Sequence, residues 1–351
     1  MKVWVDILTP KQALFFEPLI KELSLKNDVL VTSRKYREVE LIMEKRGIAG
    51  HFIGEHGGKD LYRKLVASAE RIRKLADLVS KEEPDIAVSF SSPECCRVAF
   101  GLGIKNYCIT DSPHAAAVAR LTVPLCDELF TPWVIPTRAW TKYGIAANNI
   151  TKYRALDPAA WLKRVDRSKR RPEVKVEKGK KTIVVRLEES FAAYLLETSN
   201  KKQTQGYQLL AKLVKEFSNC NIVALGRYSE QIEILQKNFD NKIIVPDNIV
   251  DGIPLLMNCD IFIGMGGTMT AEAALLGVPT VSFFRGTYDI ERFLIRKGLV
   301  LKPKNVDDVV KVSKKLLADD SRRKVIKAKA AKLLGWMEDP VKVICAKIQA
   351  T

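Results

Sequence analysis

The chain has little with which to bind a metal. Its 351 residues include three histidines, His51, His56 and His114, too scattered to form a ligand set, and no Asp-x-Asp pair of the kind that holds a nucleotide-bound cation. Seven cysteines include the adjacent Cys95 and Cys96 but no Cys-x-x-Cys, which argues against both a zinc cage and a disulfide framework. The expectation is no metal, no cofactor and reduced cysteines. No apolar run is long enough to span a bilayer, because charges such as Glu272 and Arg285 interrupt the candidates. The opening Met-Lys-Val-Trp-Val-Asp-Ile-Leu carries Asp6 inside its apolar stretch and reads as a first strand in place of a secretion signal, so a cytoplasmic location is expected. There is no G-x-x-x-x-G-K-[ST]. Gly264-Met-Gly266-Gly-Thr-Met269 does not complete G-x-G-x-x-G and comes late in the chain, which disfavours a dehydrogenase.

What is present is apolar and basic. A hydrophobic content of 47% at this length is enough for a packed interior and favours two domains over one. Lys and Arg number 58 against 41 Asp and Glu, and the net charge of +17 calls for an anionic partner: nucleic acid, lipid headgroups or a phosphorylated substrate. Much of the excess lies in Lys163–Arg171, continuing to Lys181, and in helical text from Lys311 to Lys332. These stretches read either as a solvated linker and helix face or as a binding patch. No aromatic-interleaved nucleic-acid motif accompanies them, so nucleic acid is not the expected partner.

Short β-rich runs alternate with helical patterns, as in Val3–Leu8 before Phe15–Leu25 and Asp85–Phe90 before Glu94–Gly101. This is βαβ text, which implies parallel sheets covered by helices. The alternation pauses between Trp161 and Lys181 and resumes with Lys181–Arg186, a helix over 201–217, the strand Asn221–Leu225, a helix over Ser229–Phe239 and the strand Lys242–Val245. The pattern predicts an α/β fold of two Rossmann-like, doubly wound domains facing each other across a cleft. The first spans 1–162, a basic linker 163–181, the second 182–333, and a C-terminal helix over 334–351 returns to the first domain. In open α/β sheets ligands bind beyond the carboxyl ends of the strands.

Gly264, Gly266 and Gly267 stand between the apolar Ile261-Phe-Ile263 and a short Ala/Leu helix. Missing β-carbons allow a tight reversal and let a ligand approach the backbone. Thr268 stands where an N-cap is expected, and the first-turn N–H groups with the helix dipole suit a phosphate or pyrophosphate. Ala271, Ala274, Leu275 and Val278 form a stripe that would pack the helix on its sheet. A carboxylate at Glu272, one turn in, would repel phosphate unless it accepts hydroxyls such as those of a ribose. The alternative is a structural turn followed by a helix with a solvated Glu.

A late Gly-Gly-Thr-x-x-x-Glu-Ala-x-x-x-Gly-x-Pro after two α/β halves resembles the donor segment of GT-B enzymes, the group of nucleotide-sugar glycosyltransferases and UDP-N-acetylglucosamine 2-epimerases. Further stretches are similar to a mainly archaeal GT-B-like family of unknown function: Trp4-Val-Asp-Ile, Ser92-Pro-Glu94, Asp111-Ser-Pro-His114, Arg120-Leu-Thr122, Arg227-Tyr228 and Gly266–Gly277. The resemblance spans nearly the whole chain. It implies that Gly266, Gly267 and Thr268 hold the diphosphate of a nucleotide sugar, expected to be a UDP-sugar, and that Glu272 holds the ribose. Arg186 and Arg227 follow strands of the second half and either neutralise phosphate or serve as packing ion pairs.

The first half is expected to supply the acceptor contacts. Lys11 and Gln12 follow the first strand, where some GT-B relatives carry a catalytic histidine that this sequence lacks. Ser92 and Glu94 flank Pro93 at a second helix start, read as an ordinary cap or as a ligand site. Asp111 and His114 follow another strand and form the candidate base with its orienting carboxylate, the alternative being a capping turn. The leading expectation is a metal-independent glycosyltransferase with a lipid-linked or otherwise anionic acceptor and peripheral contact at the membrane face. A hydrolysing 2-epimerase and a non-catalytic scaffold binding nucleotide sugar or nucleic acid are the alternatives.

Overall fold

A computed structural model describes residues 1–58, 60–166, 173–188, 205–226, 229–247 and 250–350. The chain divides into two compact units, one formed by Met1–Lys163 with Met337–Thr351 and the other by Arg164–Trp336.

In the first unit the order is β1 (Lys2–Ile7), α1 (Pro10–Leu23), β2 (Asp28–Lys35), α2 (Arg37–Lys45), β3 (His51–Glu55), α3 (Leu61–Glu82), β4 (Ile86–Ser89) and α4 (Pro93–Gly101). It continues through β5 (Lys105–Ile109), α5 (Ala116–Thr122), β6 (Glu128–Pro132), α6 (Arg138–Thr141), β7 (Ile150–Tyr153) and α7 (Ala159–Leu162). The sheet is parallel with order β3-β2-β1-β4-β5-β6-β7. Strand β1 is buried from Val3 to Ile7, as expected where helices cover both faces of a parallel sheet. Helix starts are chemically marked. Thr9 caps α1 with Pro10 at its first turn, Asp60 caps α3, and Ser92 caps α4 with Pro93 following.

The second unit contains β8 (Thr182–Arg186), α8 (Gln205–Glu216), β9 (Asn221–Leu225), α9 (Ser229–Phe239), α10 (Gly252–Met257), β10 (Ile261–Gly264), α11 (Met269–Leu276) and β11 (Thr280–Ser282). Then follow α12 (Asp289–Arg296), β12 (Val300–Leu301), α13 (Val306–Ala318) and α14 (Asp320–Trp336). Its parallel sheet has the order β12-β11-β10-β8-β9. The last helix, α15 (Pro340–Gln349), packs on α1 of the first unit, where Lys347 pairs with Glu128 at 3.0 Å and Glu338 accepts the Arg154 N–H at 2.6 Å.

Both sheets are thus α/β and doubly wound, as the alternating text implies. Two local expectations change. The strand expected over Lys242–Val245 reduces to a single bridge between Ile244 and Val223, because Pro246 has no N–H with which to continue the ladder. Residues 173–180, within the expected linker, lie against β9: the Asn221 side chain accepts from the Glu177 N–H at 3.1 Å and donates to its carbonyl at 3.0 Å.

Candidate functional site

In the second unit, successive connections run to opposite sides of β8: β9 lies on one side and β10 on the other. Ligand crevices of open α/β sheets form at such a reversal, outside the carboxyl ends of the two strands. Gly264, the last residue of β10, pairs there with Arg186, the last of β8. The Met265 N–H donates to the Arg186 carbonyl at 2.9 Å and the Phe283 N–H to the Gly264 carbonyl at 2.8 Å, so the chain leaves the sheet held from both sides.

The turn then needs glycine. Gly266 has φ +104° and Gly267 φ +89°, and a β-carbon on Gly266 would sit 3.0 Å from the Phe284 ring. Gly267 is exposed, with no atom near its missing β-carbon, so its backbone faces open space. Thr268 already has helical angles, φ −67° and ψ −31°, and its side chain makes no capping bond. This corrects the expected N-cap: the two glycines complete the reversal, and a cap side chain works only from an extended backbone. The Thr268 carbonyl instead accepts from the N–H groups of Ala271 and Glu272 at 2.9 and 3.1 Å.

Beyond the turn, the first N–H groups of α11 have no intrahelical acceptor and carry the positive end of its dipole. The Thr270 hydroxyl, buried over Gly264, has no hydrogen-bond partner among the described residues. Glu272 is only 5% exposed, not the solvated side chain of the structural alternative. All four residues of the expected apolar stripe are buried and the helix packs on β10 and β11, and burial extends around it from Thr270 to Leu276 because α10, α12 and α14 also cover it. Arg186 donates from Nη1 to the Gly226 carbonyl at 2.7 Å. Arg227 lies outside the described residues.

The first unit reverses between β1 and β4. Gln12 bridges that reversal: its Oε1 accepts from the Leu8 N–H at 2.6 Å and its Nε2 donates to the Phe90 carbonyl at 2.9 Å. Ser91, two residues after the end of β4, has φ +53°, a conformation that concentrates at functional turns. The Lys11 ammonium lies 4.3 Å from the centre of the Phe90 ring. It donates to Asp111 Oδ2 at 2.6 Å and to Asp157 Oδ2 at 2.7 Å, while Tyr153 donates to Asp157 Oδ1 at 2.5 Å.

These carboxylates titrate apart. Asp157 is wholly buried; burial raises its pKa, Lys11 opposes the rise, and the charge of Asp111 helps leave it at about 7. Burial also pushes Asp111 up, but Lys11 with hydrogen bonds from its neighbours outweighs this and holds it at about 2. Lys11 itself keeps its proton more tightly than usual, since two carboxylates outweigh its desolvation. The cluster therefore sets a buried carboxyl group with a raised pKa beside Asp111, whose side chain is partly open to solvent.

The remaining sequence candidates are placed as follows. His114 is exposed in the turn before α5, and the Asp111 carboxylate accepts from Ser112 at 2.8 Å and from Lys11 at 2.6 Å, which makes it part of the lysine cluster. Ser92 caps the Cys95 N–H at 3.2 Å and donates to Asp6 at 2.6 Å. Glu94 accepts from Ser68 at 2.8 Å and faces Arg71 at 3.7 Å. Both sit in a buried network around Asp6, which also accepts from Thr32 at 2.6 Å and from two Arg71 nitrogens at 2.6 and 3.2 Å. Asp157, Tyr153 and Asp6 escaped the reading of the sequence. A charge inside an apolar strand marked Asp6, and the i, i+4 spacing of Tyr153 and Asp157 was the other available signal.

The comparisons with known proteins agree with this architecture. The model of the family described as "Protein of unknown function (DUF354)" matches residues 1–348. The uncharacterized protein MJ0665 of Methanocaldococcus jannaschii is 29% identical over 316 residues, 88% of this chain and 90% of that protein. Among solved structures, a putative UDP-N-acetylglucosamine 2-epimerase from Listeria monocytogenes superposes with a TM-score of 0.77 at 15% identity, covering 100% of this chain and 96% of the other. UDP-GlcNAc 2-epimerase from Neisseria meningitidis, bound to UDP-GlcNAc, gives 0.75 at 16% identity with both chains fully covered. The spinosyn forosaminyltransferase SpnP gives 0.63 at 13%, covering 99% and 98%. At these identities the structures establish a shared GT-B fold.

Proposed function

The chain belongs to the DUF354 family, and we propose that it is a metal-independent glycosyltransferase acting on a nucleoside-diphosphate sugar, with a UDP-sugar as the first candidate. The observation that carries this is the open backbone at Gly267, one turn before the buried Glu272 carboxylate, at the reversal of a doubly wound sheet. Phosphate oxygens accept from first-turn N–H groups, and the helix dipole stabilises the negative charge that grows on the departing diphosphate. Glu272 accepts from the ribose hydroxyls. Arg186 adds positive charge at the same strand ends. Within the first unit, His114 and Asp111 of the lysine cluster are the groups that would take a proton from a hydroxyl.

The pairing of Asp111 with Asp157 favours a second reading, hydrolysing 2-epimerisation. Removing a proton beside the anomeric carbon and returning one require a base and an acid, and this cluster sets a carboxylate with a lowered pKa beside a carboxyl group whose pKa burial raises to about 7. Several structural neighbours are named as UDP-GlcNAc 2-epimerases.

One experiment tests both readings. Thermal unfolding with a panel of nucleoside diphosphates and nucleotide sugars should raise the midpoint with at least one of them. Incubation of UDP-GlcNAc in heavy water should then release UDP together with a sugar that carries no deuterium at C2 for a transferase and deuterium there for an epimerase. No midpoint shift with any nucleotide would remove both.

A further inference from the structure

Helix α3 begins with an apolar surface that none of the described residues covers. Leu61 is 81% exposed, Tyr62 74%, Leu65 69% and Val66 41%, four large side chains within six residues. The next turns behave differently, because Arg71, Leu75 and Val79 are buried against the sheet. Leaving such a cluster in water costs free energy that a helix start capped by Asp60 does not require. The same two turns carry Arg63 and Lys64, both exposed and without an acidic partner among the described residues.

We propose that this end of α3 is a docking surface for an anionic lipid bilayer. A helix that presents leucine, valine and a tyrosine ring beside unpaired cations matches the boundary of acyl chains and headgroups, where apolar depth and negative charge occur together. A second copy of this chain fits worse: an isologous contact would bring the unpaired cations of two copies with net charge +17 towards each other. Among the described residues no helix is long and apolar enough to cross a membrane, so the contact is peripheral.

The position of the surface gives it a use. Helix α3 follows β3 and leads back to β4, so it starts at the carboxyl edge of the sheet, the edge that carries Lys11 and Asp111. Docking there makes a lipid-linked hydroxyl compound the acceptor class. That last step rests on the transferase reading, whereas the docking itself does not.

Flotation of the full chain with vesicles of phosphatidylcholine, with and without phosphatidylglycerol, tests the proposal. Binding is expected only to the anionic vesicles and should fall with salt. The variants Leu61→Ser/Leu65→Ser and Arg63→Glu/Lys64→Glu should each lower it by about tenfold or more, with thermal midpoints unchanged because the side chains are exposed. Absence of flotation would overturn the proposal. So would full binding by the leucine double variant, or a dimer in sedimentation velocity that the same variant dissociates. Nucleotide binding by the unaltered chain, measured separately, tells failure of docking from failure of the transferase reading.

Discussion

Lys11 and Asp157 lie 146 positions apart, yet the lysine ammonium donates to the aspartate at 2.7 Å. The contact joins the first strand end of the unit to the segment after its last strand and leaves Asp157 with a pKa of about 7.

This makes stability depend on pH in a defined direction. A free aspartate titrates near about 3.9, so the folded state keeps a proton on Asp157 that the unfolded chain loses. Its contribution is fully present below about pH 4 and is lost as pH rises through about 7. Asp111, held at about 2, acts oppositely: its contribution is present above about pH 4 and is lost as pH falls towards about 2. Urea unfolding of the protein and of Asp157→Asn should show the unaltered chain losing stability relative to the variant between about pH 4 and pH 7. A constant difference across that range would refute the assignment.

Asp6 is fully buried and bonds Arg71, Thr32 and Ser92. Asp6→Ala strands a buried guanidinium and should cost about 3–5 kcal/mol. The double variant Asp6→Ala/Arg71→Met should recover part of the loss, since it removes the uncompensated charge. Denaturant midpoints measure both.

The two glycines of the turn should differ. Gly267→Ala meets only its positive φ, whereas Gly266→Ala also meets the Phe284 ring. Backbone strain costs about 1–3 kcal/mol, and Gly266→Ala should exceed Gly267→Ala in chemical unfolding. Equal losses would mean that the ring moves aside freely.

Glu272→Ala should weaken nucleoside diphosphate binding by about 1.5–3 kcal/mol, the value of a charge-assisted hydrogen bond. Titration calorimetry measures it, with circular dichroism showing that the fold persists. Unchanged affinity would take Glu272 out of the nucleotide site.

His114→Ala should slow turnover by about 10²–10⁴-fold, the usual contribution of a general base, with little change in donor affinity. Asp111→Asn provides the comparison. If only the aspartate variant is slow, the base is in the lysine cluster and His114 belongs to the turn before α5.

The sequence by itself determined the alternation of strands and helices, the glycine reversal and the carboxylate one turn beyond it. Those signals are local: apolar spacing, a missing β-carbon, a proline at a helix start. It also carried the anomaly of an acid within the first strand at Asp6. Which residues answer that acid was not legible, because Thr32, Arg71 and Ser92 come from three separate elements that meet only through the strand order. The same holds for Lys11: one carboxylate comes from beyond β5 and the other from beyond β7, brought together by the winding of the sheet. Tertiary structure also turned Ser92 and Glu94 into members of a buried network and drew Asp111 into the lysine cluster. Covalent neighbours set backbone conformation within a few residues, whereas burial and charge pairing depend on distances that only the assembled sheet defines.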